Sequence, residues 1–287
     1  MQELFARGRQ ATEGSRERPP SPRVLSYLLG VRFLTYLAPN ALPLYEHVAD
    51  QVGRALGVET RMDIGRDPSQ MELGEADFAF LCSRPYIWIR DRGIALEPVA
   101  APVLTGERHA GRPMQYSDVI VRADSAHRTF EDLRGTRCAY NGSDSHSGYG
   151  ILLLRLAAVD GPRPFFSSTL EAGFHQAAIR AVVSGEADTA AVDSQVLAIE
   201  MDNHPELAAS LRVIESLGPS TTQPLVAAAH ISAGVLQEVR AVITGLPPSA
   251  PMAAAHVERF VAVADGDYDT IRAMMRIARS AGITGLE

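Results

Sequence analysis

The loop Asn141–Tyr149, rich in serine and glycine, carries the strongest chemical pattern in the chain. It separates a strand-like run from an apolar helical run, so backbone N–H groups meet there at the positive end of a helix dipole. The hydroxyls of Ser145 and Ser147 can donate hydrogen bonds to anionic oxygens. Helix capping alone also selects serine, but three serines and a histidine beside two glycines exceed what a cap requires. The loop therefore predicts an anion-binding site.

Other polar residues stand at strand ends or helix starts, which is where open α/β sheets bind ligands. Asp193 ends a strand and opens a helix, so a capping role and a ligand role are equally open for it. Tyr36 follows the first strand, and Tyr86 begins a helix next to Arg84, a candidate countercharge. His175 precedes another helix. A single tyrosine or histidine is more often a packing residue, so none of these carries a function alone.

The elements that must position these residues alternate between strand and helix. Continuous apolar runs such as Asp77–Cys82 predict buried parallel strands, and the apolar spacing of Leu42–Leu56 predicts an amphipathic helix. This alternation predicts an α/β fold with mostly parallel sheets flanked by helices. We expect two helices, Ala253–Ala264 and Tyr268–Ala281, to end the chain.

A short internal repeat indicates how the chain is divided. The sequence of Gly74–Ala79 recurs, with one change, as Gly185–Ala190, and each copy is an acidic turn that leads into a buried strand. One copy falls in each half of the chain. The repeat favours two lobes built on similar plans over one continuous sheet.

Composition limits the class of protein. The chain has 287 residues, 46% hydrophobic and 21% charged, with a net charge of −7, which is typical of a globular protein with a core of ordinary size. No cluster of lysine and arginine stands in the folded part, so we expect no nucleic-acid partner. Residues 1–22 are polar and arginine-rich without the apolar core of a signal peptide, and we expect a disordered arm. The apolar stretch Val24–Ala38 is interrupted by Arg32 and too short to cross a bilayer.

Several enzyme classes lack their motifs in this sequence. The Gly-x-Ser-x-Gly turn of hydrolases, the P-loop and the dinucleotide-binding glycine pattern are absent. No Cys/His spacing suits zinc, so we expect neither a metal nor a cofactor. Cys82 and Cys138 lie in strand-like runs and are interpreted as buried apolar residues, with a single bridge between them left open.

Taken together, several segments resemble the substrate-binding proteins of phosphate, phosphite and phosphonate ABC transporters. The similarity extends over about residues 31–246. The resemblance implies the type II periplasmic-binding-protein fold, in which two lobes close on a ligand. It places one lobe at residues 23–114 plus 222–287 and the other at 115–221, with hinges near Gln115–Asp118 and Ser220–Pro224. The segments that carry it are Asp77–Tyr86, Val99–Leu104, Ser117–Asp124, Phe130–Tyr140, Ser145–Tyr149, Ala172–Ala177 and Ala187–Val196.

The resemblance also implies site residues. The family's Ser-Thr-Ser-Gly loop, which binds the phosphonate at a helix start, is matched with one departure, His146 in place of threonine. A family histidine and an acidic strand-end residue match His175 and Asp193, and an aspartate there is expected to favour a ligand that carries an ammonium group. The ligand-binding residues implied are Tyr36, Tyr86, Ser145, His146, Ser147, Gly148, His175 and Asp193.

The function expected from this resemblance is capture of a small phosphorus oxyanion for ABC-type import, without catalysis. An ABC transporter permease is then the expected protein partner, and we expect a monomer. The resemblance implies a periplasmic or cell-envelope location, whereas the lack of a signal peptide favours the cytoplasm. The alternative function is a cytoplasmic enzyme or ligand sensor on the same fold, acting on a small carboxylate or phosphorylated metabolite.

Overall fold

The computed structural model describes residues 30–72 and 74–286, which form an α/β protein with two sheets. The expected disordered arm, residues 1–22, lies outside the described residues. The first sheet has six strands in the order β11-β4-β10-β3-β1-β2. Its strands are β1 (Val31–Thr35), β2 (Thr60–Ile64), β3 (Phe78–Phe80), β4 (Leu96–Leu104), β10 (Leu225–Ala228) and β11 (Val257–Ala262).

The second sheet has five strands in the order β7-β6-β8-β5-β9. We call the parts of the molecule built on the two sheets the first lobe and the second lobe. The strands of the second sheet are β5 (Met114–Arg122), β6 (Arg137–Tyr140), β7 (Ser168–Glu171), β8 (Thr189–Asp193) and β9 (Leu211–Thr221).

Helices flank both sheets. Those of the first lobe are α1 (Leu42–Leu56), α2 (Ser69–Glu72), α3 (Ser83–Asp91), α8 (Ala233–Thr244), α9 (Ala250–Ala254) and α10 (Asp269–Ser280). Those of the second lobe are α4 (Ile151–Ala157), α5 (His175–Ser184), α6 (Ser194–Asn203) and α7 (Pro205–Ser210).

The sheets are mixed, whereas the sequence predicted mostly parallel ones. Strands β1, β2 and β3 are parallel to one another, as are β6, β7 and β8. Pairings of β10, β11, β5 and β9 with their neighbours are antiparallel. The path of the chain explains the antiparallel pairing of β10. This strand enters the first sheet at the edge where β1 and β3 end, so it runs in the opposite direction.

Two parts of the chain differ from the elements predicted for them. Ala253–Ala264 was predicted as a helix, but half of it is strand β11, which pairs with β4 at Phe260 and Pro102. The alanine-rich start favours a helix locally, yet pairing along the exposed edge of β4 and burial of Phe260 outweigh that propensity. Strand β7 was not predicted, because a short polar edge strand lacks an apolar pattern.

Core packing follows the two sheets, with crossings in both directions. Ile199 of α6, a helix of the second lobe, is buried in a cluster of the first lobe. Two apolar clusters fill the first lobe and two fill the second. Helix α10 departs from this division, because Ala278 and the following Leu286 are buried in a cluster of the second lobe. Both cysteines are free thiols. Among residues 30–72 and 74–286, no helix is both long and apolar enough to cross a membrane.

Candidate ligand-binding site

A cavity of about 230 Å³ lies between the two lobes, at the ends of six strands. Its lining residues follow the carboxyl ends of β1, β2 and β3 in the first lobe and of β6, β7 and β8 in the second. Parallel strands of one sheet finish at the same edge, and ligands of open α/β sheets bind there. The two parallel strand trios therefore point their carboxyl ends at one cavity.

The serine loop forms part of the second-lobe wall of this cavity. Ser145 is the N-cap of a π-type turn, His146–Gly150, and its Oγ accepts a hydrogen bond of 3.1 Å from the N–H of Gly148. Ser147 lies 3.1 Å from His175, measured from Oγ to Nε2. All three side chains are buried, and all three line the cavity. The structure thus brings together the two serines and the histidine that the sequence singled out.

Gly148 does not line the cavity, but its lack of a side chain shapes the loop. A Cβ at this position would lie 1.9 Å from Oδ1 of Asn141 and 3.1 Å from Cε1 of His175. A Cβ contact of 1.9 Å does not occur, so any larger residue would displace Asn141. Glycine therefore allows Asn141 and His175 to close on the serine loop.

His175 presents an unsatisfied ring nitrogen at the site. Its Nδ1 is buried and has no hydrogen-bond partner among the described residues. Burial lowers the pKa of His175 to about 3, so the imidazole is neutral at physiological pH. A neutral imidazole has one donor and one acceptor nitrogen. His175 can therefore take either the donor or the acceptor role in its hydrogen bond with Ser147 without carrying a charge.

His146 differs from the prediction, because its side chain does not line the cavity. The ring is buried, and its Nε2 lies 2.7 Å from Oγ of Ser220 in strand β9. Ser145 and Ser147 occupy the cavity side of the turn, and the residue between them points the other way. Burial, and then the charge of Arg84, lower the pKa of His146 to about 3. His146, the residue that departs from the family pattern, therefore contacts Ser220 within the protein and does not face the cavity.

Asp193 combines the capping role and the cavity position that the sequence left open. Its Oδ1 accepts hydrogen bonds from the N–H groups of Gln195 at 2.9 Å and Val196 at 3.4 Å. Its Oδ2 accepts a hydrogen bond of 2.7 Å from Nε2 of Gln223. The carboxyl group is buried at the cavity wall, and this desolvation raises its pKa.

Comparison with known proteins identifies the family. A family model described as the periplasmic substrate-binding protein of phosphonate ABC transporters matches residues 33–268. The chain belongs to this family. The resemblance seen in the sequence and the α/β two-lobed fold are thereby confirmed. Members of this family bind substrates for transport and are not enzymes, which confirms the solute-binding function.

Solved structures with the same fold have low sequence identity to this substrate-binding protein. A binding-protein component of an ABC phosphonate transporter from Pseudomonas aeruginosa has a TM-score of 0.75 and 19% identity, covering 88% of this chain and 87% of that one. PhnD1 from Prochlorococcus marinus, solved with methylphosphonate, has a TM-score of 0.70 and 16% identity, covering 86% and 97%. A Xanthomonas citri protein solved with ATP has a TM-score of 0.63 and 16% identity, covering 88% and 98%.

The two tyrosines predicted for the site of this binding protein lie in different places. Tyr36 lines the cavity, and its ring lies against Gly65, where a Cβ would be 2.1 Å from the ring atom Cε1. Burial raises the pKa of Tyr36 to about 12. Tyr86 does not line the cavity. It is fully buried beside Tyr268, with ring centroids 5.0 Å apart, and its hydroxyl donates to Asp265. The prediction for Tyr86 is corrected because packing turns that helix face into the core.

Other residues line the cavity that the sequence did not single out. Most of these residues directly follow a strand or open a helix. That position in the sequence is the signal that could have identified them as cavity residues. Arg66, just after β2, is exposed and brings a positive charge to the cavity, while Asp144 brings a negative one. The remaining polar members of this group are Thr35, Tyr45, Gln195 and Gln223.

Proposed function

We propose that this substrate-binding protein captures a small phosphonate in the interlobe cavity and delivers it to an ABC transporter. The observation that carries the proposal is the buried group of Ser145, Ser147 and His175, which lines the cavity at the starts of two helical segments. Hydroxyls can donate to the oxygens of a tetrahedral anion, and such charge-assisted hydrogen bonds are strong. The methylphosphonate bound to PhnD1 is a ligand of this chemical class.

Helix dipoles explain how an anion can be bound by a chain with a net charge of −7. The serine turn leads into α4, and helices α5 and α6 begin at His175 and Ser194, beside the cavity. Helix N-termini carry partial positive charge and favour anions. Arg66 adds a full positive charge at the cavity. Local potential within a cleft, rather than net charge, governs this kind of binding.

Cavity size supports a small ligand. A volume of about 230 Å³ is below the range of roughly 300–1,000 Å³ found for pockets that hold drug-sized molecules. The ligand is therefore expected to have few heavy atoms. Closure of the lobes would remove water from these hydrogen bonds and strengthen them.

We propose that closure occurs about hinges near Gln115–Asp118 and Ser220–Pro224. Residues 23–114 plus 222–287 would form one lobe and residues 115–221 the other, with helix α10 reaching across to the second. The register of β5 and β9 supports this, because Gln115 pairs with Ser220 where the two strands leave the first lobe. A two-strand crossing of this kind permits rigid-body rotation of one lobe against the other.

The transport role predicts a permease partner and a periplasmic location for the working protein. The family is defined by a periplasmic binding component, and such a component acts by presenting its ligand to a membrane permease. We propose that the protein does so as a monomer. Sedimentation velocity of the purified chain would test this, and a stable dimer would contradict it.

Ligand binding is tested by calorimetry and thermal unfolding with phosphate, phosphite, methylphosphonate, 2-aminoethylphosphonate and sulfate. A ligand at 100 times its Kd should stabilise the fold by about 2.7 kcal/mol. We expect Ser147→Ala to weaken the binding by about 1.5 to 3 kcal/mol, the usual contribution of a hydrogen bond to a charged group. Ser143→Ala, at an exposed position of the same loop, is the matched control. No binding of any phosphorus oxyanion would overturn the proposed function.

A further inference from the structure

The two walls of the cavity differ in chemistry. The second-lobe wall is mainly polar and carries Asn141, Ser145, Ser147, His175 and Asp193. The first-lobe wall has more aromatic and aliphatic side chains than polar ones. Its aromatic and aliphatic members are Tyr36, Leu37, Ala41, Tyr45, Ile64 and Pro68.

Two polar side chains of the first-lobe wall are already engaged within the protein. Oγ1 of Thr35 accepts a hydrogen bond of 3.2 Å from the N–H of Leu37. Nε2 of Gln223 donates to Asp193. These engagements reduce the polar character of the wall, although exposed Arg66 also borders it. The hydroxyl of Tyr36, another residue of this wall, is buried without a hydrogen-bond partner among the described residues. A tetrahedral anion held by the serine loop would therefore face aromatic and aliphatic side chains on its other side, with this hydroxyl among them.

Exposed apolar side chains continue this surface to the rim of the cavity. Ile64 is 62% exposed and Phe174 is 52% exposed, and both line the cavity. One comes from each lobe. In the part of the chain that the structure describes, the other exposed large apolar side chains are Val213 and Ile277. Exposed apolar groups grouped at one site indicate a binding surface.

We propose that the ligand is an organophosphonate whose carbon substituent is longer than a methyl group. This inference rests on the proposed function and names the substrate class of the same site. The phosphonate oxygens bind the serine loop and His175, while the substituent lies along Tyr36 and Tyr45 toward Ile64 and Phe174. Inorganic phosphate, phosphite and sulfate have no carbon to bury against the first-lobe wall, so the cavity discriminates against them.

A homologous series of ligands tests this directly. Calorimetry would compare phosphate with methyl-, ethyl-, propyl- and butylphosphonate under one set of conditions. Each methylene that becomes buried should tighten binding by about fourfold. Affinity that is flat or falls beyond methylphosphonate would overturn the inference and leave the proposed function intact. Failure of every phosphorus compound to bind would overturn both.

Rim variants provide a second, independent readout. Ile64→Ser and Phe174→Ser should reduce the gain per methylene, so that propyl- and butylphosphonate lose more affinity than methylphosphonate does. Both residues are largely exposed, so folding should tolerate the changes, and the thermal midpoint would verify this. Ile277→Ser is the matched control, because Ile277 is 54% exposed but does not line this cavity. An unchanged gain per methylene in both rim variants would contradict the inference.

Discussion

Nη1 of Arg84 donates a hydrogen bond of 3.0 Å to the backbone carbonyl of Ser145. The same nitrogen donates to the carbonyl of Ser143 at 2.8 Å. Arg84 belongs to helix α3 of the first lobe, whereas both serines belong to the ligand loop of the second lobe. The guanidinium also lies over two aromatic rings, 4.7 Å from the centroid of Trp88 and 5.6 Å from that of Tyr149. The candidate countercharge thus holds the serine loop against the opposite lobe.

Replacing Arg84 should weaken ligand binding through this loop. Arg84→Met keeps much of the buried volume, but it leaves the carbonyl of Ser143 without its donor and removes one of two donors to the carbonyl of Ser145, which also accepts from the N–H of Gly150. A hydrogen bond from a charged donor contributes about 1.5 to 3 kcal/mol. We expect a comparable loss of affinity for methylphosphonate, measured by calorimetry. Trp88 is the single tryptophan of the chain, so its fluorescence should change with the variant.

Arg92→Met is the matched control for the Arg84 variant. Arg92 follows the same helix, is exposed, and pairs with Glu72 near the surface. Exposed ion pairs contribute at most about 1 kcal/mol to stability, and this one does not contact the loop. Equal ligand affinities for the two variants would show that Arg84 does not position the serine loop.

Gly148→Ala should damage both the fold and the site. The added Cβ would lie 1.9 Å from Oδ1 of Asn141, so the loop or Asn141 must move, and overpacking of this kind costs about 1 to 3 kcal/mol. We expect a lower thermal midpoint and little remaining ligand affinity. Gly266→Ala, whose Cβ would have Asp269 as its nearest neighbour at 4.0 Å, should change neither. Retained binding in Gly148→Ala would contradict the close approach of Asn141.

Acid should destabilise the protein through the buried histidines His146 and His175. Burial lowers the pKa of both His146 and His175 to about 3, whereas histidine in an unfolded chain titrates near 6.5. The unfolded state therefore binds more protons below pH 6.5, and stability falls as the pH drops from about 6.5 toward 3.

His146→Gln isolates the contribution of one of these histidines. Between pH 7.5 and 5.0, wild type should lose about 2 kcal/mol more of its unfolding free energy than the variant does. Urea unfolding at the two pH values measures this. His204→Gln, at an exposed position, serves as the control and should behave like wild type. A variant with the full wild-type pH dependence would refute the assignment to His146.

Asp193→Asn should separate the effect of charge at the cavity from the effect of helix capping. Asparagine can still accept the N–H groups of Gln195 and Val196 through its oxygen, and the amide of Gln223 can turn over to accept from its NH2 group. Stability should therefore change little, whereas Asp193→Ala should lose about 0.5 to 2 kcal/mol. Removing the negative charge should tighten binding of ethylphosphonate and weaken binding of 2-aminoethylphosphonate. Calorimetry gives the ratio of the two affinities. A ratio equal to that of wild type would contradict a role for Asp193 in recognising an ammonium group.

Local sequence determined much of the fold and part of the site. Alternating apolar runs and helix-start signals depend on neighbouring residues, so the α/β class, helix Leu42–Leu56 and the buried strand within Asp77–Cys82 were predicted correctly. The same holds for the serine loop, because Ser145 caps its turn through contacts within the loop itself. Spacing along the chain is sufficient for such features.

Contacts between distant segments decided the rest. Strand β11 forms because β4 offers an edge for Phe260, and no nearby residue signals that edge. Tyr86 and His146 point away from the cavity because Tyr268 and Ser220, far along the chain, pack against them. Arg84 meets the serine loop only when the two lobes come together. A side chain's direction depends on which distant surfaces bury it, and that information exists only in the folded molecule.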